Sequence, residues 1–181
     1  MELFEKTLST KEIFKGKVFT VHVDDIELPD GSKSFREVVE HSGGVCVAAI
    51  TDEDEMFFVR QFRYPYGRVL LELPAGKLEK GEDPFESGKR ELEEETGCVA
   101  ECYRDLGKFY PTPGYCGEVI HLYAAKNLAF TNQHLDEDEF LNVERIPLDK
   151  AVEMVLNNEL RDGKTQAAVL KVKLLRDKGL W

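Results

Sequence analysis

The chain is 181 residues long with a net charge of −11, enough for one domain with its own core and short for two. A hydrophobic fraction of 42% and a charged fraction of 33% describe a globular protein and exclude a disordered one. The acid excess argues against nucleic acid as a partner, because phosphate binding calls for surplus lysine and arginine, and it suits a site that attracts metal cations.

The opening MELFEKTLSTKEIF carries acids and no apolar stretch, so no secretory leader is expected. No run approaches the ~18 apolar residues of a membrane span. The four cysteines (Cys46, Cys98, Cys102, Cys116) form no CxxC pair and the four histidines are scattered. Reduced thiols in a cytoplasmic protein are expected, without structural zinc.

KVFTVHVDDIELPDGSKSFREVVEHSGG reads as two extended segments around Pro29-Asp30-Gly31, where proline presets φ and glycine accepts a positive one. This predicts a long hairpin. GVCVAAIT and EMFFVRQFRY follow as strands across the acidic turn 52–55. The first is apolar on both faces, as in a strand covered on each side. RVLLELPAG is another short strand and leads into an acidic segment.

That segment predicts a helix, with Asp83 as N-cap, Pro84 at the first helical position, Glu86 completing a capping box and Gly97 terminating it. Further strands are expected around 101–109, 117–126 and 139–146, then helices over 148–160 and 164–178. With no repeat and no composition break, the order describes a mixed α/β chain. Its parts are an N-terminal hairpin region, residues 1–42, and a main domain, residues 43–181.

The acidic segment, Gly76 to Gly97, holds seven glutamates and one aspartate. Residues three and four apart are neighbours on a helix, so Glu91, Glu94 and Glu95 converge on one patch. Their repulsion costs stability unless a cation offsets it. Converging carboxylates suit Mg²⁺ or Mn²⁺, hard ions that keep several waters and share themselves with phosphate oxygens. The competing reading is a solvated helix. Gly76 and Gly81, which let backbone approach the acidic face, weigh against it.

The run Gly76, five residues, Glu82, seven residues, then Arg90-Glu91-Leu92-Glu93-Glu94-Glu95-Thr96-Gly97 resembles the Nudix box, with Cys98 where an aliphatic residue is usual. Nudix hydrolases cleave a nucleoside diphosphate linked to another group. The resemblance implies an α/β/α sandwich with a mixed sheet, here with the N-terminal β-hairpin extension. It also implies that Glu91, Glu94 and Glu95 hold Mg²⁺ (Mn²⁺ as a substitute) with help from the Ala75 carbonyl, Glu95 serving the catalytic set as well. Glu82 would support the loop.

Pro113, sixteen residues past Gly97 in YPTPGYCGE, is followed five residues on by Glu118. Together with REVVEHSGGV, VRQFRYP, LELPAGKLEKGE and LDEDEF, this resembles the ADP-ribose pyrophosphatase branch over most of the length. That branch places a general base in the loop 136–139, with Glu139 the better match and Glu137 the second. It implies that Arg63 pairs with phosphate. Phe19, Arg36 and Glu118 match positions that hold adenine across a homodimer whose N-terminal hairpins are exchanged.

Blander readings stand beside these: a salt bridge for Arg63, hairpin packing for Phe19, a solvated turn for residues 136–139. The expected reaction is magnesium-dependent hydrolysis of ADP-ribose to AMP and ribose 5-phosphate. GDP-mannose or ADP-glucose is the alternative substrate, and a non-catalytic ADP-ribose sensor is a third reading. No nucleic-acid or membrane partner is expected.

Overall fold

The computed structural model describes residues 2–137 and 139–181. These residues divide into two compact units. The first comprises Met1–Gly43 with Tyr110–Val119, and the second Gly44–Phe109 with Ile120–Trp181.

The first unit is a three-stranded antiparallel sheet of β1 (Lys6–Lys15), β2 (Phe19–Glu27) and β3 (Lys33–His41), in the order β1-β2-β3. The β2–β3 hairpin turns where the sequence places it. Gly31 has φ 82°, its N–H donates to Leu28 O at 2.9 Å, and Asp30 Oδ1 accepts from Ser32 N–H at 3.0 Å and Ser32 Oγ–H at 2.6 Å. The expected two-stranded extension is corrected by β1. Every β1 residue is exposed, so it has no buried face to give the alternating signal by which strands are read. Segment 110–119 joins this sheet through Val39, whose N–H donates to Tyr115 O at 2.8 Å and whose carbonyl accepts from Gly117 N–H at 2.9 Å.

The second unit carries two sheets. One has the order β7-β4-β9-β8, from β4 (Gly44–Ala49), β7 (Ala75–Lys77), β8 (Cys98–Phe109) and β9 (Ile120–Phe130); the other has the order β10-β5-β6, from β5 (Glu55–Arg63), β6 (Arg68–Glu72) and β10 (Leu141–Pro147). β4 runs parallel to β9 while β7 and β8 pair antiparallel, so the four-stranded sheet is mixed. α1 (Pro84–Thr96), α2 (Leu148–Leu156) and α3 (Gly163–Asp177) complete the unit. β8 starts three residues before the expected position, and α2 ends four residues early, at Leu156. The region read as one strand, RVLLELPAG, is two, broken at Leu73-Pro74, since proline brings no N–H to a ladder.

β4 shows how the layers form. All six of its residues are buried. Cys46 and Ala48 join a cluster with Phe58, Leu122, Ala151, Ala168 and Val172 from the α2–α3 side. Val45, Val47 and Ala49 join a second cluster with Leu92 of α1, Tyr123 and Ala125. A period of two on a strand, covered on both faces, gives an α/β/α sandwich. No helix is long and apolar enough to cross a membrane among the described residues.

Candidate active site

α1 is set by its ends. Asp83 caps it, its Oδ1 accepting from Phe85 N–H at 3.0 Å and Glu86 N–H at 3.2 Å, with Pro84 in the first turn. Glu86 turns to Lys89 instead of closing the expected capping box. Gly97 ends the helix at φ 67° and donates its N–H to Glu93 O at 2.7 Å, a left-handed closure that glycine adopts without penalty. Leu92 pins the inner face of the helix in the core. Glu91 and Glu95 are thereby carried toward the Pro74–Gly76 backbone.

That backbone comes very close. A Cβ at Gly76 would stand 1.9–2.3 Å from the Glu91 carboxyl group, a space only glycine leaves open. Next to it, the Ala75 N–H donates to Glu95 Oε2 at 3.0 Å. Arg90 lies among the remaining acids, pairing with Glu82 (3.0 Å), Glu91 (2.9 Å) and Glu94 (2.7 Å). Glu82 also accepts from Glu79 N–H at 2.9 Å, closing its loop.

The buried acids hold their protons tightly. Glu95 is 1% exposed, and burial pushes its carboxyl up to about 8; the Ala75 N–H draws it down, while Glu139 and Glu91 add repulsion. Burial takes Glu91 to about 7 against the pull of Arg90, with Glu94 and Glu139 adding to the rise. Desolvation and like charge both favour the neutral form, so these carboxylates are short of positive charge at neutral pH.

Across the site, β5 contributes Gln61 and Arg63, two residues apart and so on one face. Arg63 donates Nε–H to Glu72 Oε1 at 2.7 Å and Nη2–H to Glu72 Oε2 at 2.8 Å. This salt bridge is anchored in the interior, since Glu72 is 2% exposed. Gln61 Nε2–H donates to Glu139 Oε1 at 3.1 Å. Burial raises the Glu139 carboxyl above the usual carboxylate range. The loop bearing Glu139 is tied to the end of α1: Gln133 Nε2–H donates to Glu95 O at 2.6 Å, and His134 N–H to Glu94 O at 2.9 Å. Glu137 is exposed in the same loop, and Asp138 lies outside the described residues.

Arg63, Ala75, Glu91, Glu94, Glu95 and Glu139 therefore belong to one unit. Phe19, Arg36, Pro113 and Glu118 belong to the other. There, Phe19 opens β2 against Phe14, with ring centroids 5.7 Å apart. Arg36 donates Nε–H to Glu5 Oε2 at 2.9 Å, Glu118 lies 3.5 Å from His41 Nδ1, and Pro113 is exposed in a turn. The sequence reading passed over Gln61, Glu72 and Gln133. Glu72 had a signal: a lone acid between leucines in a strand has to be paired if it is buried.

A divalent cation fits the donor set on two observations. The Gly76 cradle leaves a side-chain-free space beside the Glu91 carboxyl group. The buried carboxylates are hard oxygen donors lacking enough cationic partners. Among the described residues no three Asp, Glu, His or Cys side chains are grouped to hold an ion by themselves. The Ala75 carbonyl, water and substrate oxygens are the other available ligands.

A family model described as the NUDIX domain matches residues 40–169, and one described as the nucleoside diphosphate sugar hydrolase N-terminal domain matches residues 5–39. An ADP-ribose pyrophosphatase from Bacillus subtilis (strain 168) is 44% identical over 174 residues, covering 95% of this chain and 94% of the relative. A methanol dehydrogenase activator from Bacillus methanolicus is 46% identical over 172 residues, covering 94% and 93%. A crystal structure of an ADP compounds hydrolase superposes over 100% of both chains with a TM-score of 0.86 at 23% identity, which speaks to the fold. With the box on α1, the layered fold and these matches in agreement, the chain belongs to the Nudix hydrolase family.

Proposed function

We propose that this chain hydrolyses the diphosphate bond of ADP-ribose, releasing AMP and ribose 5-phosphate, with magnesium as its divalent cation. The observation that carries the chemistry is the pair of buried, charge-deficient carboxylates, Glu91 and Glu95, beside the Ala75–Gly76 backbone. The substrate rests on the ADP-ribose pyrophosphatase relative.

Glu91, Glu94, Glu95 and the Ala75 carbonyl would hold the cation, which when bound supplies positive charge against the diphosphate oxygens and acidifies water. Arg63 offers phosphate the edge of its guanidinium not engaged by Glu72. Glu139 accepts the proton of the attacking water, held ready by Gln61. Water oxygen then bonds to one phosphorus as the bridging P–O bond breaks, and the leaving phosphate keeps the electron pair. Glu137, on the same loop, is the second candidate base.

Phe19, Arg36 and Glu118 are assigned to holding adenine and Pro113 to substrate binding, with the region 1–42 exchanged in a cytoplasmic homodimer. An active monomer lacking residues 1–42, measured by light scattering and turnover, overturns that assignment.

The function is tested by chromatography of products from ADP-ribose, ADP-glucose and GDP-mannose, with and without Mg²⁺. Magnesium-dependent AMP and ribose 5-phosphate from ADP-ribose in clear excess is the expected result. Preference for another substrate moves the specificity, and binding without turnover returns the sensor reading. The 46% identical relative favours one second reading, that the chain activates a methanol dehydrogenase. Adding wild-type and Glu94→Gln protein to such an enzyme separates activation by hydrolysis from activation by contact.

A further inference from the structure

Behind Arg63 lies a polar ring that the proposed mechanism does not use. Glu72, at the end of β6, receives Arg63 on both oxygens and is also paired with Lys164 Nζ. Lys164 Nζ donates to Asp162 Oδ2 at 2.9 Å. Asp162 caps α3, its Oδ2 accepting from Thr165 N–H at 3.0 Å and Thr165 Oγ1–H at 2.6 Å. Thr165 Oγ1 in turn accepts from Leu73 N–H at 2.9 Å, one residue past Glu72. The ring closes there. It continues into the site, because Leu73 leads through Pro74, whose carbonyl accepts from Val47 N–H at 2.9 Å, to Ala75 and its bond with Glu95.

Lys164 is oddly placed for stability alone. It is the second residue of α3, where the positive end of the helix dipole disfavours a cation. Its side chain is 11% exposed, and a buried ion pair is often no better for stability than an apolar packing of the same volume. What the ring does is hold Arg63 from behind. Nε and Nη2 are both engaged by Glu72, and Nη1 has no hydrogen-bond partner among the described residues. Bonded also to Lys164, which Asp162 in turn engages, Glu72 is fixed in place, and its two-point grip on Arg63 leaves the Nη1 edge turned to receive an anion.

We propose that Lys164, itself held by Asp162, is a positioning residue for diphosphate hydrolysis, fixing Arg63 through Glu72. The proposal rests on the diphosphate reading of the site. It is tested by a kinetic cycle on the full chain with wild type, Lys164→Met, Lys164→Arg, Arg63→Ala and the Arg63→Ala/Lys164→Met double variant, using ADP-ribose.

Lys164→Met is expected to lower kcat/KM roughly 10- to 100-fold, the cost of removing a supporting partner one shell out. Lys164→Arg, which keeps the charge, restores most of it. In the Arg63→Ala background the same Lys164→Met change is expected to cost less than about twofold, because the group it serves is gone. An equal fold-loss in both backgrounds, or no loss in either, overturns the proposal. If Lys164→Met does not fold, Glu72→Gln/Lys164→Met replaces it in the cycle with the same expectations, since it removes one charge of each sign. Absence of turnover in the wild type sinks the diphosphate reading instead. The same cycle read as ADP-ribose affinity by calorimetry then decides the ring.

Discussion

Glu72 and Glu95 are both buried glutamates of one unit, 2% and 1% exposed, and they titrate in opposite directions. Burial would raise both. At Glu72 the Arg63 and Lys164 side chains overcome it and hold the carboxyl down at about 2. At Glu95 burial is opposed by the Ala75 N–H and, more weakly, by the charge of Arg63, while Glu139 and Glu91 reinforce it, and the carboxyl is pushed up to about 8. Residue type and burial are the same, so the difference lies in the partners. Glu72 is completed by the chain itself, whereas among the described residues Glu95 has the Ala75 N–H and no cationic hydrogen-bond partner, which on the proposed function is where a cation enters. That contrast separates a structural carboxylate from one prepared for a cation.

The sharpest way to break the contrast is Glu95→Gln. Turnover is expected to fall at least about 100-fold, since a ligand matters no less than the outer partners of a metal site. The metal-free variant is expected to melt higher than wild type at pH 8, because an uncompensated charge has been removed. Near-normal turnover would show that Glu95 holds no cation.

A smaller effect is read from stability against pH in metal-free protein. Glu95 is raised, so between about 4.5 and about 8 the folded state holds a proton that the unfolded state has released, and stability falls as pH rises through that window. Glu72 is depressed, so its contribution is present above about 4.5 and is lost as pH falls toward about 2. Each slope approaches about 1.4 kcal/mol per pH unit per proton. Added Mg²⁺ should flatten the alkaline limb and leave the acid limb unchanged. Chemical denaturation from pH 3 to 9 with EDTA or Mg²⁺ measures both, and an alkaline limb indifferent to Mg²⁺ would dissolve the distinction.

Much of the second unit was legible in the residues. The cap at Asp83, the stop at Gly97, the doubly covered β4 and the two C-terminal helices all carry local signals, because each depends on φ preferences or on a periodic buried face. β1 carries none. Its residues are all exposed, and pairing with β2, with shifts between Thr7 and Ser9 and between Glu12 and Phe14, is what makes it a strand. In the site, the box spacing drew attention to Glu91, Glu94 and Glu95. Gln61 and Lys164 escaped it, since their partners Glu139 and Glu72 are 78 and 92 positions away.

A helix capped at Asp83 with several carboxylates on one face, and a glycine at 76 open to their approach, could be read from the residues alone. Both follow from the 3.6-residue period and the missing Cβ. Which acids are satisfied depends on long-range packing. Arg90 divides itself among Glu82, Glu91 and Glu94, Arg63 and Lys164 complete Glu72, and among the described residues the Glu95 carboxyl has one hydrogen-bond donor, the Ala75 N–H. A carboxylate's charge state is set by the groups within a few ångströms, and those groups come from distant parts of the chain.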